Sequence, residues 1–154
     1  MPEAFTAALA RRLDKLTAVT VVEVRQPTPL EAGTVYVARG DADMIVSRRG
    51  GRLAALSAPA DPARRWHPSV DRLVESAMEQ LPAAAIVGVL MTGMGNDGAL
   101  SMARLFQGGG RTLAESEATA VVWGMPGELV RAGGASLVRD VDDLAAALVK
   151  AVAR

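Results

Sequence analysis

The sequence predicts an α/β domain built on a mostly parallel, doubly wound sheet with a short antiparallel hairpin insertion. From residue 68 onward, helical patterns alternate with apolar segments of strand length, which is typical of parallel strands joined by crossover helices. Residues 84–91 are almost continuously apolar, as expected of a central strand covered on both faces. Before residue 60, short strand patterns surround Gly50-Gly51, and a glycine pair suits a two-residue hairpin turn.

The N-terminal half begins with a predicted amphipathic helix over residues 1–16. Its proposed inner face is the set spaced by three and four residues: Phe5, Ala8, Leu9, Arg12, Leu13 and Leu16. β-branched and apolar runs then predict strands, and prolines predict loops. The strands cover 19–24, 34–38, 44–48 and 53–57, and the loops cover 26–33 and 58–65.

In the C-terminal half, a helix with Pro68 in its first turn presents the apolar face Val70, Leu73, Val74, Ala77, Met78 and Leu81. A helix over 98–107 follows the apolar strand and is closed by three glycines. The remaining elements are predicted as strands over 111–114 and 136–139 and helices over 127–131 and 141–153. Acidic residues at 140, 142 and 143 favour the start of the last helix.

Bulk composition limits the function classes. The chain of 154 residues is the size of one domain, and 17 basic residues balance 17 acidic ones at a pI near 6.6. This balance disfavours nucleic acid and anionic membranes as partners. With no cysteine and one histidine, neither a metal site nor a cofactor is expected. No apolar run reaches the ~20 residues of a membrane span, so a soluble, cytoplasmic protein is expected.

The turn after residue 91 is the candidate site. Thr92-Gly93-Met94-Gly95-Asn96-Asp97-Gly98 follows a strand and opens a helix. In open α/β sheets, ligands bind beyond the carboxyl ends of the strands, where the backbone N–H groups of such a turn point into the crevice. The chain direction predicts that His67 lies at the same edge of the sheet.

Three interpretations of the turn remain open on its residues alone. Its glycines match the dinucleotide fingerprint G-x-G-x-x-G, with Glu115 or Glu117 as the ribose-binding acid, although Asp97 would repel a pyrophosphate. Asp97 could simply cap the helix while the glycines shape the turn. Alternatively, Asp97 orients a histidine as the third member of a catalytic triad.

Four segments, in order, resemble the CheB family of chemotaxis methylesterases. They are VGVLMTGMGNDGA at 87–99, HPSVD at 67–71, ESEATAVVWGMP at 115–126 and YVARGD at 36–41. The resemblance covers essentially the whole chain. It implies a three-layer α/β fold and a hydrolase that removes methyl esters from glutamates on chemoreceptor helices, with glutamine deamidation on the same scaffold.

The resemblance also implies roles for individual residues. Asp97 would be the triad aspartate, and the backbone around Met94 and Gly95 would form the oxyanion hole. His67 takes an arginine position of the family pattern. It is expected to contact substrate or begin a helix, because a replacement base would have to reach both nucleophile and aspartate at about 3 Å.

The family's serine and histidine motifs, G-A-S-T-G-G and Q-H-M-P, are not found in this sequence. Met1-Pro2 resembles the end of the second motif, so the chain is expected to start one residue after the catalytic histidine and to be inactive alone. Ser69 and Ser101 are interpreted as structural, because neither follows a strand-to-helix elbow. The alternative is a non-catalytic receptor-binding remnant. No receiver domain is present in the sequence.

The segment from Trp123 to Pro126 and the side chain of Met94 have simpler explanations. The first is expected to be a packed turn, not a cofactor site. The methionine could be a packing residue against the sheet, since its side chain fills irregular gaps.

Overall fold

A computed structural model of the protein describes residues 2–153, which form two compact units. The first unit ends at Gln80, and the second begins at Leu81. Each unit combines helices with parallel strands, in agreement with the predicted fold class. The expectation of one domain over 1–154 stays a prediction.

The first unit contains two helices and five strands. In chain order they are α1 (Glu3–Leu16), β1 (Thr20–Val24), β2 (Thr28–Pro29), β3 (Thr34–Ala38), β4 (Ala42–Arg49), β5 (Arg52–Pro59) and α2 (Val70–Gln80). β1 and β3 pair in parallel, whereas β2, β5 and β4 form an antiparallel sheet in that order. A buried cluster joins the two sheets through Val24 of β1, Met44 of β4 and Ala55 of β5, and Leu73 of α2 packs against it.

The predicted hairpin is confirmed. β4 and β5 are antiparallel over their full lengths, with Arg49 opposite Arg52. Gly50 and Gly51 have φ angles of 56° and 82°, which glycine adopts without a Cβ penalty. The predicted loop over 26–33 is only partly right, because Thr28 and Pro29 pair with the outer edge of β5. The edge position explains how a proline is tolerated in that ladder.

The helix predicted over residues 1–16 is confirmed as α1, but its predicted apolar face is only partly right, since Leu9 and Leu13 are no more than half-buried. Thr6 and Ala10 are the buried residues of the helix, whereas Phe5 is 55% and Leu16 69% exposed. The Thr6 hydroxyl donates to Glu23 Oε1 at 2.6 Å and accepts from the Gly40 N–H at 3.0 Å. A polar residue therefore faces inward because its hydrogen bonds are satisfied there. Met1, which the predicted helix included, lies outside the described residues.

The second unit contains three helices and three strands. They are β6 (Val87–Leu90), α3 (Ala99–Gln107), β7 (Arg111–Glu115), α4 (Met125–Arg131), β8 (Leu137–Arg139) and α5 (Val141–Val152). The strands form a parallel sheet in the order β6-β7-β8, as expected for strands joined by crossover helices. The fully buried side chains of the second unit include Met102, Leu105, Leu113 and Leu129.

Two predicted boundaries change in the structure. The apolar stretch over 84–91 is not one central strand, because a 3₁₀ turn occupies Ala83–Ala85 and β6 lies at an end of its sheet. β7 takes the central position instead, with four of its five residues buried. The predicted helix at Pro68 begins two residues later, at Val70. No helix within residues 2–153 is long and apolar enough to span a membrane.

Candidate active site

The predicted site turn joins β6 to α3. β6 ends at Leu90, and α3 begins at Ala99 after a left-handed Gly98 with φ 86°. Gly95 is also left-handed, with φ 88°. Both positions need a residue without a Cβ, so the glycines are explained by the sharp reversal of the chain. The turn thus brings Asp97 and the peptide groups around Met94 and Gly95 to the carboxyl edge of the sheet.

Asp97 is buried, with 7% of its surface exposed. The N-cap position of α3 belongs to Gly98, so Asp97 lies one residue before the cap, contrary to the simple capping interpretation. The adjacent N-terminus of α3 carries partial positive charge, which attracts acidic side chains. An acid held in this way can orient a cationic or hydrogen-bonding partner.

The segment after β7 holds the turn in place. The Gly93 N–H donates to the Val122 carbonyl at 3.0 Å, and the Met125 N–H donates to the Gly93 carbonyl at 2.9 Å. Gly124 lies between these bonds, and a Cβ there would stand 2.6 Å from the Gly93 oxygen. The close approach of two backbones explains the glycine, and it immobilises the peptide groups beside Asp97.

Glu115 supports the same turn from β7. The side chain is 2% exposed, its Oε2 accepts from the Thr92 N–H at 2.8 Å, and its Oε1 accepts from the Thr119 hydroxyl at 3.1 Å. To bind a ribose, the Glu115 carboxylate would have to break these two hydrogen bonds. The dinucleotide interpretation therefore loses its first acidic candidate.

Met94 is 73% exposed, so the interpretation of its side chain as packing against the sheet is wrong. Because the side chain is exposed and the turn is held by hydrogen bonds, the structure fixes the backbone of Met94 but not its side chain. By contrast, the Trp123 to Pro126 segment is a packed turn, as predicted. The Trp123 indole N–H donates to the Glu115 carbonyl at 3.0 Å, and Pro126 is buried at the start of α4.

His67 belongs to the first unit, and its partner there is Asp43 of β4. The His67 Nδ1 lies 3.0 Å from Asp43 Oδ1, and 22% of the imidazole is exposed. The structure thus places Asp97, Met94 and Gly95 in one turn of the second unit and His67 in a cluster of the first unit. The predicted placement of His67 at the same edge as Asp97 stays a prediction.

Asp43 is the charged residue that the sequence did not reveal. Its side chain is fully buried and also accepts from Arg72 Nη1 at 2.7 Å, the Ser69 N–H at 2.9 Å and the Asp61 N–H at 3.1 Å. Burial opposes ionisation, but the hydrogen bonds from His67, Arg72 and the two backbone donors outweigh it and hold the pKa of Asp43 below its ordinary value. Asp43 is therefore an ionised acceptor at neutral pH.

The two serines considered as nucleophiles are both buried. Ser69 is 3% exposed, and its hydroxyl accepts from the Arg72 N–H at 3.3 Å at the start of α2. Ser101 is fully buried in α3, where its hydroxyl donates to the Gly98 carbonyl at 3.3 Å. These positions agree with the structural roles predicted for both. Among residues 2–153, no cluster of three acidic or histidine side chains could hold a metal ion.

The fold and the turn define an α/β domain with a buried acid at the carboxyl edge of a parallel sheet. The family profile described as CheB methylesterase matches residues 1–148. A crystal structure of the CheB methylesterase catalytic domain from Thermotoga maritima superposes with a TM-score of 0.90 at 31% identity, covering 97% of this chain and 79% of that one. This similarity confirms the predicted fold class.

Two curated relatives are more similar in sequence. The protein-glutamate methylesterase/protein-glutamine glutaminase 2 of Rhodopseudomonas palustris is 58% identical over 150 residues, which are 97% of this chain and 41% of that protein. The protein-glutamate methylesterase/protein-glutamine glutaminase 3 of Rhodospirillum rubrum is 51% identical over 148 residues, which are 96% of this chain and 40% of that protein. The chain thus spans about two-fifths of the length of these relatives. It belongs to the CheB methylesterase family.

Proposed function

We propose that this chain supplies the aspartate and the oxyanion-binding turn of a protein-glutamate methylesterase that acts on chemoreceptor cytoplasmic helices, with glutamine deamidation on the same site. The observation that carries the proposal is the buried Asp97, one residue before the N-cap of α3, in a turn held by backbone bonds from Gly93 to the segment after β7. Such an arrangement provides a fixed acid beside fixed N–H donors.

In the proposed reaction, a serine hydroxyl attacks the ester carbonyl of a methylated glutamate while a histidine takes its proton. Asp97 holds that histidine in the correct tautomer and stabilises the imidazolium that forms. Backbone N–H groups around Met94 and Gly95 stabilise the tetrahedral oxyanion. Collapse releases methanol, protonated by the histidine, and water then hydrolyses the acyl-enzyme to free glutamate.

We assign neither the nucleophilic serine nor the base of this reaction to a residue that the structure describes. Ser69 and Ser101 are too buried to reach a substrate ester, and we assign His67 to substrate contact. We therefore expect the 154-residue chain by itself to release no methanol. Loss of a triad nucleophile costs on the order of 10⁶ in kcat in another hydrolase.

These burial data also favour a second candidate, a non-catalytic module that binds receptor helices. In that case the chain retains affinity for the receptor without hydrolysing it. Both candidates place the protein in the cytoplasm, where the receptor helices lie, and neither needs a metal or another cofactor.

The test combines two measurements on the same preparations. Methanol release from methylated receptor cytoplasmic domain is measured for the 154-residue chain, and for a product extended by the upstream coding sequence if the reading frame is open. Binding to the same receptor fragment is measured by titration calorimetry. Hydrolysis by the extended product supports the esterase, and binding without hydrolysis in both supports the module. Absence of both activities would refute the proposal.

A further inference from the structure

Asp43 collects four hydrogen-bond donors from three separate parts of the first unit. The donors are His67 Nδ1, the Ser69 N–H, Arg72 Nη1 and the Asp61 N–H, all within 2.7 to 3.1 Å. The carboxylate is completely buried, and a buried charge is costly unless it is fully paired. Arg72 neutralises the charge, and the backbone donors occupy further lone pairs. These bonds hold the Asp43 carboxylate in place, and the carboxylate in turn fixes the His67 ring.

The charge state of Asp43 determines the tautomer of His67. An ionised carboxylate can only accept hydrogen bonds, so the ring nitrogen facing it must carry a proton. The Arg72 guanidinium at 2.7 Å keeps Asp43 ionised. A neutral His67 must therefore be protonated on Nδ1, and any group that meets its Nε2 must be a donor. A backbone carbonyl in place of Asp43 would fix the ring in the same way but without the charge.

We propose that Asp43 is a positioning residue for His67 and sets the tautomer and orientation in which this partly exposed imidazole contacts the substrate peptide. The proposal rests on the proposed function, because it is the receptor helix that gives His67 its role. Asp43 itself is too buried to touch a substrate. Its effect is on substrate binding through the ring, and not on the chemical step.

The tautomer can be measured directly, because His67 is the only histidine in the sequence. Protein labelled with ¹⁵N-histidine should give one imidazole in a long-range ¹H–¹⁵N correlation spectrum. At a pH above the ring's titration, we expect Nδ1 to be protonated and Nε2 to be bare. A ring protonated on Nε2 would overturn the inference and leave the proposed function intact.

One variant and a matched control refine the measurement. Asp43→Asn can turn either its carbonyl or its amide group toward the ring, so the spectrum should show both tautomers in exchange. Asp41→Asn makes the same chemical change at an exposed position two residues earlier and should leave the ring unchanged. If Asp43→Asn does not fold, the ring tautomer of the unaltered protein decides the inference alone.

The substrate role is tested with a synthetic receptor-helix peptide that carries one glutamate methyl ester. We expect it to shift the His67 ring signals, and to bind Asp43→Asn about tenfold more weakly than the unaltered protein or Asp41→Asn. Binding that leaves the ring signals and the affinity of Asp43→Asn unchanged would overturn the inference alone. Failure of the unaltered protein to bind the peptide would instead count against the proposed function, and with it the substrate role of His67.

Discussion

Replacing Gly124 with alanine tests whether backbone contact between two loops shapes the site turn. The added Cβ would lie 2.6 Å from the Gly93 carbonyl oxygen and 3.0 Å from both the nitrogen and the oxygen of Gly95. The φ angle of Gly124 is −78°, which alanine adopts readily. The expected effect is therefore steric and not conformational.

The magnitude follows from the atoms that must move. The contact of 2.6 Å is about 0.8 Å inside the 3.4 Å at which ordinary contacts begin, and the atoms that it strikes are backbone. They are tied by the Gly93 to Val122 and Met125 to Gly93 hydrogen bonds, which would have to lengthen. Overpacking of this kind costs about 1–3 kcal/mol. We expect a loss near 2 kcal/mol, in the middle of that range.

Urea unfolding monitored by circular dichroism measures the loss as a shift in the midpoint at constant m. The control is Gly50→Ala in the hairpin, where φ is 56° and an added Cβ would meet no atom within 4 Å. Its free energy of unfolding should fall by only ~1 kcal/mol, the cost of a left-handed alanine. Backbone amide shifts should move at Gly95 in the first variant only. A Gly124→Ala protein as stable as the parent, with unmoved Gly95 signals, would refute the proposed contact.

Four other outcomes are expected. Asp97→Asn should lower kcat roughly 10⁴-fold in any product that releases methanol, at an unchanged melting temperature, because the histidine loses its orienting charge. Glu115→Gln should weaken the bond from the Thr92 N–H and cost about 1 kcal/mol in urea unfolding. The low pKa of Asp43 contributes stability above its ordinary pKa of 3.8 that is lost as pH falls through its folded value, so Asp43→Asn should approach the parent in stability only in acid. Ala10→Asp should destabilise α1 strongly, whereas Phe5→Ser should be nearly neutral by thermal melting.

Elements defined by local backbone chemistry were predictable. The β4–β5 hairpin follows from two glycines that can both take positive φ, and α3 ends where Gly109 adopts a φ of 91°. The position of Asp97 in a turn was indicated for the same reason, since glycines on both sides of it predict a sharp strand-to-helix reversal; its role as a site residue stays a prediction. Each of these signals lies within a few consecutive residues.

The inner face of α1 was not predictable from hydrophobic periodicity. Periodicity counts apolar side chains, but here the inward position is taken by Thr6, whose hydroxyl is bonded to Glu23 and Gly40. The partners lie 17 and 34 residues away along the chain. Once such partners exist, a small polar residue can be buried without penalty, and Phe5 can be left exposed at the cost of its transfer free energy.

Asp43 shows the same limit for a charged residue. Its four donors are separated from it by 18 to 29 residues, and no spacing rule connects them. In the sequence, Asp43 is one acid in a hairpin beside the exposed Asp41, and nothing local distinguishes the two. Their difference arises when the loop before α2 brings His67, and α2 itself brings Arg72, onto β4. A buried acid with a local glycine signature can therefore be found by reading the sequence, whereas one defined by distant donors needs the fold.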